Sequence, residues 1–284
     1  MRIANYYESR LGRNDGPPLY WTNALRNMGH EVVHLSSQAV PDRQWGHFDL
    51  HLWVDWGEDA LSGVLPYKPC NMSDAHPSAY VTSDTHLGYD YRLNKAKEFD
   101  FVFCNQLRAV EEFERDGVKA RWLPHAVEPQ AYPNKPAVIK KHDLCFIGYV
   151  TFRKRAEMLD QLFRAVPNFF YGHKLFEECS EFYRKSRIVF NTAAIDDVNM
   201  RCFEATATGS FLLTEWVPTI SDCFREDIHL ATFKTMDEAI EKAKYYLEHE
   251  DERETIAGQG MQHTLARHTY KHRAEELLGV VNRG

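Results

Sequence analysis

The sequence lacks the features that mark membrane, secreted and general nucleic-acid-binding proteins. Its longest apolar run, Leu144 to Val150, is far shorter than the roughly 20 residues of a membrane span. The N-terminal stretch MRIANYYESRLGRND has no apolar segment of the kind found in secretory signals, so we expect a cytoplasmic protein with no membrane span. The 34 Lys and Arg residues are outnumbered by 41 Asp and Glu residues, which gives a net charge of −7. Binders of phosphate backbones usually carry a basic excess, so nucleic acid is allowed as a partner but not favoured.

Metal-binding and disulfide motifs are also missing. The six cysteines are scattered without a CxxC pair, and there is no HExxH motif. This pattern predicts reduced, mostly buried thiols and argues against a zinc site built on cysteine. The 284 residues are 44% apolar and 26% charged, a balance typical of soluble globular enzymes with one large or two modest domains. A mostly disordered chain is excluded, because such chains lack this much apolar surface.

The order of the predicted elements indicates an α/β protein. A strand over 2–6, a helix over 19–28 and a strand over 31–35 form one βαβ unit. A second strand–helix series begins at residue 143, after a stretch with three prolines, 128–136, that suits a linker. The other strands are predicted over 50–54, 80–82, 101–104, 120–123, 143–147, 169–171, 188–191 and 211–214. The other helices are predicted over 106–115, 154–166, 176–185, 199–208, 237–249, 252–266 and 270–282.

We therefore predict two α/β halves of similar size, residues 1–135 and residues 136–284. The last helix could also pack back on the first half. Halves of this kind usually bind their ligand at the carboxyl ends of their parallel strands.

The most informative motif runs from Asp196 to Gly209, between two predicted strands. Asn199 is a natural N-cap, so the first N–H groups of the following helix, together with Arg201, form an anion site that suits a phosphate. Glu204, a little over one turn later, offers two acceptor oxygens that match the two hydroxyls of a ribose. The alternative is a capped helix whose charges are merely solvated, and the residues alone leave both interpretations open.

Three groups of segments in the sequence resemble one enzyme family. They are IVFNTAAIDDVNMRCFEATATGSFLLTE with the helices that follow it, TSDTHLGYDYRLNKAKEFDFVFCNQ, and the pair WLPHAVEPQAY and DLCFIGYV. They resemble the spore-maturation CgeB-like glycosyltransferases of the GT-B, group 1 type, from about residue 80 to residue 275.

The resemblance implies a fold and a reaction. The fold is α/β, with two Rossmann-like domains whose parallel sheets face each other across a cleft. The reaction is transfer of a sugar from a UDP-, GDP- or dTDP-sugar to an acceptor hydroxyl, with the donor held mainly by the second domain. Such enzymes typically need no metal or other cofactor, because protein cations neutralise the leaving diphosphate.

The resemblance also assigns donor-binding residues in the second half. Asp196 and Glu204 fall on the family's E-x7-E pair, with Asp in place of the first Glu, and Glu204 matches the acid that binds ribose. Arg153 and Lys154 correspond to the basic pair that contacts the diphosphate, and basic residues are unfavourable at a helix N-terminus without such a role. Gly172 lies where the nucleobase is received. Glu215 lies outside the motif, and we expect it to make no contact with the donor.

The first half contributes candidate catalytic residues. Asp15 and Gly16 belong to a glycine-containing loop that resembles the loop facing the donor, where Gly16 would let the backbone approach a phosphate. Asp84 and His86 match a D-x-H at the end of a strand, where they could bind a sugar hydroxyl or move a proton. A turn that needs positive φ and a helix-capping Asp are the structural alternatives for these two loops.

Two other functions stay open. One is a catalytically silent nucleotide-sugar-binding protein that acts as a scaffold, supported by the Asp at position 196. The other is a sugar-nucleotide epimerase of similar fold. For a transferase, the acceptor could be a glycan, a protein, a metabolite or a modified DNA base.

Overall fold

The computed structural model describes residues 1–7, 16–38, 45–55, 68–135, 138–150, 153–174 and 176–283. The strands of these residues are β1 (Arg2–Tyr6), β2 (Glu31–Leu35), β3 (Leu50–Val54), β4 (Ser78–Thr82), β5 (Phe101–Cys104), β6 (Ala120–Trp122), β7 (His142–Ile147), β8 (Phe169–Gly172), β9 (Ser186–Asn191), β10 (Phe211–Glu215) and β11 (Ala231–Phe233). The α-helices are α1 (Pro17–Asn27), α2 (Tyr89–Ala96), α3 (Leu107–Arg115), α4 (Arg153–Ala165), α5 (Phe176–Lys185), α6 (Met200–Ala207), α7 (Ile220–Cys223), α8 (Met236–Glu248), α9 (Glu250–Arg267) and α10 (Tyr270–Val281).

The first structural unit contains residues 1–124 and 270–284. Its sheet has the strand order β2-β1-β3-β4-β5-β6, and every neighbouring pair is parallel. All five residues of β3 and of β4 are buried, as expected for strands of a parallel sheet covered on both faces. Helix α10 packs on α1, where the rings of Tyr20 and Tyr270 lie 5.3 Å apart.

The second structural unit contains residues 125–269. Its sheet has the order β11-β10-β9-β7-β8, again parallel throughout. Apolar side chains from β7, β9 and β10 form the core together with α4, α8 and α9, and Phe146, Phe190 and Leu213 are fully buried there. The two parallel sheets confirm the predicted α/β class.

The unit boundary differs from the predicted division at residues 135 and 136. It falls after Pro124, and the last helix is counted with the first unit. The predicted linker is in part bonded into the second unit. The Ser180 hydroxyl of α5 donates to the carbonyl of Pro133 (3.4 Å), and Tyr132 is buried. Prolines therefore mark an irregular segment here that still packs against the core.

Three of these elements were not predicted from the pattern, and two of them are very short. Strand β11 has three residues and α7 has four, too few for a periodic signal. Helix α2 was also missed. All six cysteines are buried and free, in line with the predicted thiols. Among the described residues, no helix combines the length and the apolar character needed to cross a membrane.

Candidate functional site

Three basic side chains meet at the carboxyl edge of the second unit's sheet. They are Lys154 and Arg155, in the first turn of α4, and Arg201, in the first turn of α6. Helix α4 follows β7 and α6 follows β9, and these strands are parallel neighbours, so both helices begin at the same edge of the sheet. We call these three residues the basic niche.

Arg201 is held between the ends of β7 and β9. Its guanidinium donates to Asn191 Oδ1 (2.5 Å) and to the carbonyl of Ile147, and its Cζ lies 4.6 Å from the centre of the Phe146 ring. The strand end next to it requires glycine. Gly148 has φ of 155°, and a Cβ at this position would lie 2.4 Å from Arg201 Nη2. The local sequence therefore fixes the guanidinium at the tip of β7.

Arg155 joins the loops that follow the same two strands. It donates to the carbonyls of Tyr149 (2.8 Å) and Thr192 (3.3 Å). Burial lowers the pKa of Arg155, and the positive charge of Arg201 lowers it further. Two neighbouring guanidinium groups repel each other electrostatically. A bound anion would offset this repulsion, so the pair suits an anion-binding site. Arg155 was not chosen from the sequence, although it neighbours the predicted pair.

The two predicted diphosphate contacts have different surroundings. The side chain of Arg153 is 92% exposed and pairs with Glu157 on its own helix (2.7 Å). Lys154 instead turns towards the sheet edge, where its Nζ lies 2.5 Å from Glu215 Oε1. The structure therefore brings Lys154 into the niche and leaves Arg153 in solvent.

Glu215 lies inside this arrangement although it stands outside the sequence motif, and its expected lack of contact with the donor stays a prediction. Its second oxygen, Oε2, accepts hydrogen bonds from Thr192 Oγ1 (2.8 Å) and from the amide of Ala193 (3.2 Å). Glu215 ends β10, next to β9, and so reaches the loop that leads to α6.

Asn199 occupies the N-cap position of α6, as predicted, but its side chain does not cap the helix. Its amide pairs with the amide of Asn191, with N···O distances of 3.2 Å in both directions. The first N–H groups of α6 therefore make no bond to the N-cap side chain, although the Cys202 amide donates to the Asn199 carbonyl (3.1 Å). Asp196, in the loop before α6, is exposed and has no hydrogen-bond or ion-pair partner among the described residues.

Glu204 is buried, with 9% of its surface exposed. Burial raises its pKa, while a hydrogen bond from the Tyr132 hydroxyl and the charge of Arg201 act in the opposite direction. The sequence predicted an accessible carboxylate and gave no sign of Tyr132, which lies in the predicted linker. A carboxylate with one neutral partner can accept further hydrogen bonds, such as those of a sugar hydroxyl.

Aromatic side chains lie beside the niche at the ends of β7 and β8. Tyr149 is 60% exposed, and its ring packs on that of His173 with centres 4.0 Å apart. The predicted Gly172 ends β8, and its carbonyl accepts a hydrogen bond from the amide of Gly148 (2.9 Å). An exposed pair of flat rings beside cations suits a ligand that has both a ring and a phosphate.

The candidate residues of the first unit follow β1 and β4. Gly16 begins α1 with φ of 109°, a conformation that favours glycine, whereas Asp15 lies outside the described residues. The side chains of Asp84 and His86 are exposed and form no hydrogen bond or ion pair in the described part of the chain, while the Asp84 carbonyl accepts from the amide of Leu87 (2.9 Å). Asp84 has φ of 50°, which is uncommon for a residue other than glycine and is frequent at functional sites.

The described residues contain no group of three or more His, Cys, Asp or Glu side chains that could hold a metal ion. The charged groups at the sheet edge include the basic niche and Glu215, and Asp196 lies in the loop after β9. The three cations of the niche suit an anionic ligand.

Comparisons with known proteins agree with this geometry. Residues 148–279 match a family described as glycosyl transferase-like. A search of curated proteins gave no match. Among solved structures, HepE of Anabaena in complex with UDP and glucose is similar, with a TM-score of 0.70 and 12% identity over the whole of both chains. The DNA-modifying enzyme β-glucosyltransferase has a TM-score of 0.68 and 13% identity, covering 99% of this chain and 100% of the other.

A third similar structure is sucrose-phosphate synthase of Thermosynechococcus elongatus, with a TM-score of 0.62 and 11% identity over 99% of this chain and 98% of the other. At such low identity, these similarities establish the fold. The predicted GT-B fold is confirmed.

Proposed function

We infer that the chain is a GT-B glycosyltransferase, as the sequence predicted, and that its donor is a nucleoside-diphosphate sugar. The observation that carries this proposal is the basic niche, which lies within the part of the chain that matches the glycosyl transferase-like family. Within this group, the resemblance to the CgeB-like enzymes supports assignment to that subtype. Buried free thiols are consistent with a cytoplasmic location.

The niche explains how the leaving group is stabilised. In the transfer, the bond between the anomeric carbon and the β-phosphate oxygen breaks, and the acceptor oxygen forms a bond to that carbon. Negative charge then develops on the departing diphosphate, where Lys154, Arg155 and Arg201 supply positive charge. The N–H groups at the start of α6 add to it. We propose that these groups replace a divalent metal.

The rest of the donor has matching groups nearby. Glu204 is proposed to bind the ribose hydroxyls, in exchange for its bond to Tyr132. Tyr149, His173 and the backbone at Gly172 are proposed to receive the base. UDP is the first nucleotide to test, because HepE, the DNA-modifying β-glucosyltransferase and other similar structures were solved with UDP or UDP-sugars.

Acceptor binding is assigned to the first unit. Asp84 and His86 are exposed at the end of β4, and we propose that they bind the acceptor or take its proton, with Asp15 as a further candidate. The similarity to a DNA-modifying enzyme adds a modified DNA base to the acceptors worth testing. The net charge of −7 favours a sugar, protein or metabolite hydroxyl.

Titration calorimetry with UDP, GDP and dTDP tests the donor assignment. We expect one nucleotide to bind the wild type, and Lys154→Ala to raise its Kd about tenfold, the loss of one charge-assisted hydrogen bond. Arg164→Ala is the matched control, because Arg164 is an exposed cation on the same helix, paired with Asp160. Its Kd should equal that of the wild type. Failure of all three nucleotides to bind would refute the proposal.

Turnover then separates the enzyme from its alternatives. A labelled nucleotide sugar incubated with the protein should release free nucleoside diphosphate, slowly with water and faster with the acceptor. Binding without any release would favour a silent scaffold. Release of a changed sugar, or a changed sugar still attached to its nucleotide, would favour an epimerase.

A further inference from the structure

Glu215 places one carboxylate among the three cations of the basic niche. Its Oε1 receives Lys154 Nζ, and its Oε2 receives the Thr192 hydroxyl and the Ala193 amide. A hydroxyl, an amide and an ammonium group are also the donors that commonly bind a phosphate oxygen. Glu215 thus accepts from the same types of donor that would bind a phosphate of the ligand.

The two members of the ion pair differ in how firmly they are held. The Glu215 side chain is 16% exposed and has two donors from the loop after β9, whereas the Lys154 side chain is 69% exposed. A lysine side chain is a flexible four-carbon chain that ends in a compact ammonium group. Rotation about its bonds can carry the ammonium group to another acceptor. Lys154 can therefore leave Glu215 while Glu215 stays in place.

We propose that Glu215 is an internal competitor for the donor diphosphate. It holds Lys154 when the site is empty, yields Lys154 to the diphosphate when the donor binds, and takes Lys154 back as the nucleoside diphosphate leaves. This inference rests on the proposed function. Its consequence is that the leaving nucleotide is bound less tightly than the three cations alone would bind it, which favours product release.

Glu215→Gln isolates this effect. Glutamine keeps an oxygen that can accept from the Thr192 hydroxyl and the Ala193 amide, so the loop keeps its support. It removes the negative charge, so Lys154 loses its ionic partner and can pair with a phosphate without first leaving a carboxylate. The variant should bind UDP more tightly than the wild type, whereas loss of an ordinary binding residue would weaken binding.

Calorimetry with UDP tests this directly. We expect the UDP Kd of Glu215→Gln to be about fivefold to tenfold lower than that of the wild type at low salt, with the difference shrinking at high salt. The inhibition constant of UDP as a product should fall by the same factor. Asp160→Asn is the control, because it removes one carboxylate from an exposed ion pair on α4, the helix that carries Lys154. Its UDP Kd should stay within twofold of the wild type.

A double variant shows whether the effect passes through Lys154. In the Lys154→Ala background, Glu215→Gln should change the UDP Kd by less than twofold. Equal gains in both backgrounds would mean that the carboxylate repels the ligand independently of Lys154, and the competitor role would be wrong.

The role of Glu215 and the donor site itself are tested by different outcomes. If wild type binds UDP and Glu215→Gln binds it equally or less tightly, only the role of Glu215 is refuted. If wild type binds none of UDP, GDP, dTDP and inorganic pyrophosphate, the donor site itself is wrong and the competitor role falls with it.

Discussion

Glu204→Gln is the sharpest test of the donor site, because the structure predicts opposite effects on binding and on folding. Glu204 is buried, accepts a hydrogen bond from Tyr132, and has a pKa raised by burial. Glutamine preserves the shape and can still accept from the Tyr132 hydroxyl. It removes the charge and replaces one acceptor oxygen with a donor, so it can no longer accept from two ribose hydroxyls at once.

The expected loss of donor binding follows from the energy of these bonds. A hydrogen bond to a charged group contributes about 1.5–3 kcal/mol, so losing one should weaken UDP binding by on the order of tenfold to a hundredfold. If both hydrogen bonds were lost, UDP binding would weaken by more than this range. The effect should appear in Kd and in KM together, because ribose is bound in the ground state as well as in the transition state.

Glu204→Gln is expected to weaken UDP binding without lowering the stability of the fold. Because the pKa of Glu204 is raised above 4.5 in the folded protein, the native state binds more protons than the unfolded chain at pH values just above 4.5. This group therefore contributes less to stability as the pH rises through that window, and at neutral pH its buried charge is unfavourable. Glu204→Gln removes this penalty, so its Tm at pH 7 should equal or exceed that of the wild type.

The assay is UDP calorimetry and thermal unfolding on the same protein samples. Glu226→Gln is the control, because Glu226 lies in the same unit and its partners, Thr232 and Lys242, do not belong to the niche. Its UDP affinity should be unchanged. A Glu204→Gln protein with a lower Tm and wild-type UDP affinity would show that Glu204 only supports the fold, and the ribose role would have to be abandoned.

Three further outcomes are expected. Gly148→Ala should weaken UDP binding and lower the free energy of unfolding by about 1–3 kcal/mol, because the new methyl group would displace the Arg201 guanidinium; an unchanged UDP Kd would contradict the assigned role of Arg201. Turnover should survive dialysis against EDTA, and a complete loss that manganese or magnesium restores would disprove metal independence. The pKa of His229 is lowered to about 4 by burial and by His263, so the unfolded chain binds more protons between pH 6.5 and 4. Tm should therefore fall as the pH drops through that range, and it should fall less in His229→Asn.

Short strands rich in β-prone and apolar residues were predictable from the sequence. The bounds of β1, β2, β3 and β5 agree with the prediction because each is a short segment of this kind. The motif on α6 was recognisable for a similar reason, since its residues are close together in the chain. Contacts between distant segments were not predictable in this way. Lys154 and Glu215 are 61 positions apart, and only the strand order of the second sheet brings them together.

Helix phase explains why one basic residue was chosen over another. Successive residues of an α-helix are rotated by about 100°, so Arg153 and Arg155 point in nearly opposite directions. Which of them faces the sheet depends on how α4 is oriented as it leaves β7, a property of packing that the sequence FRKR does not express. Tyr132 was not predicted for a similar reason, since its burial depends on packing. In the sequence it is one residue of a proline-rich stretch, and nothing there links it to Glu204.

The perturbed groups of the second unit are those that a single ligand would relieve. Burial and a like charge lower the pKa of Arg155, while burial raises the pKa of Glu204. Groups shifted in this way are unfavourable in their charged forms, and they cluster where a ligand compensates for them. A diphosphate would restore a counter-charge to Arg155 and Arg201, and ribose hydroxyls would replace the water that Glu204 has lost. Glu215 supplies part of that counter-charge to Arg155 in the structure. For this reason the binding energy of a nucleoside diphosphate should depend on Glu215 and Glu204 in opposite senses, a pattern that neither a merely capped helix nor a solvated surface would produce.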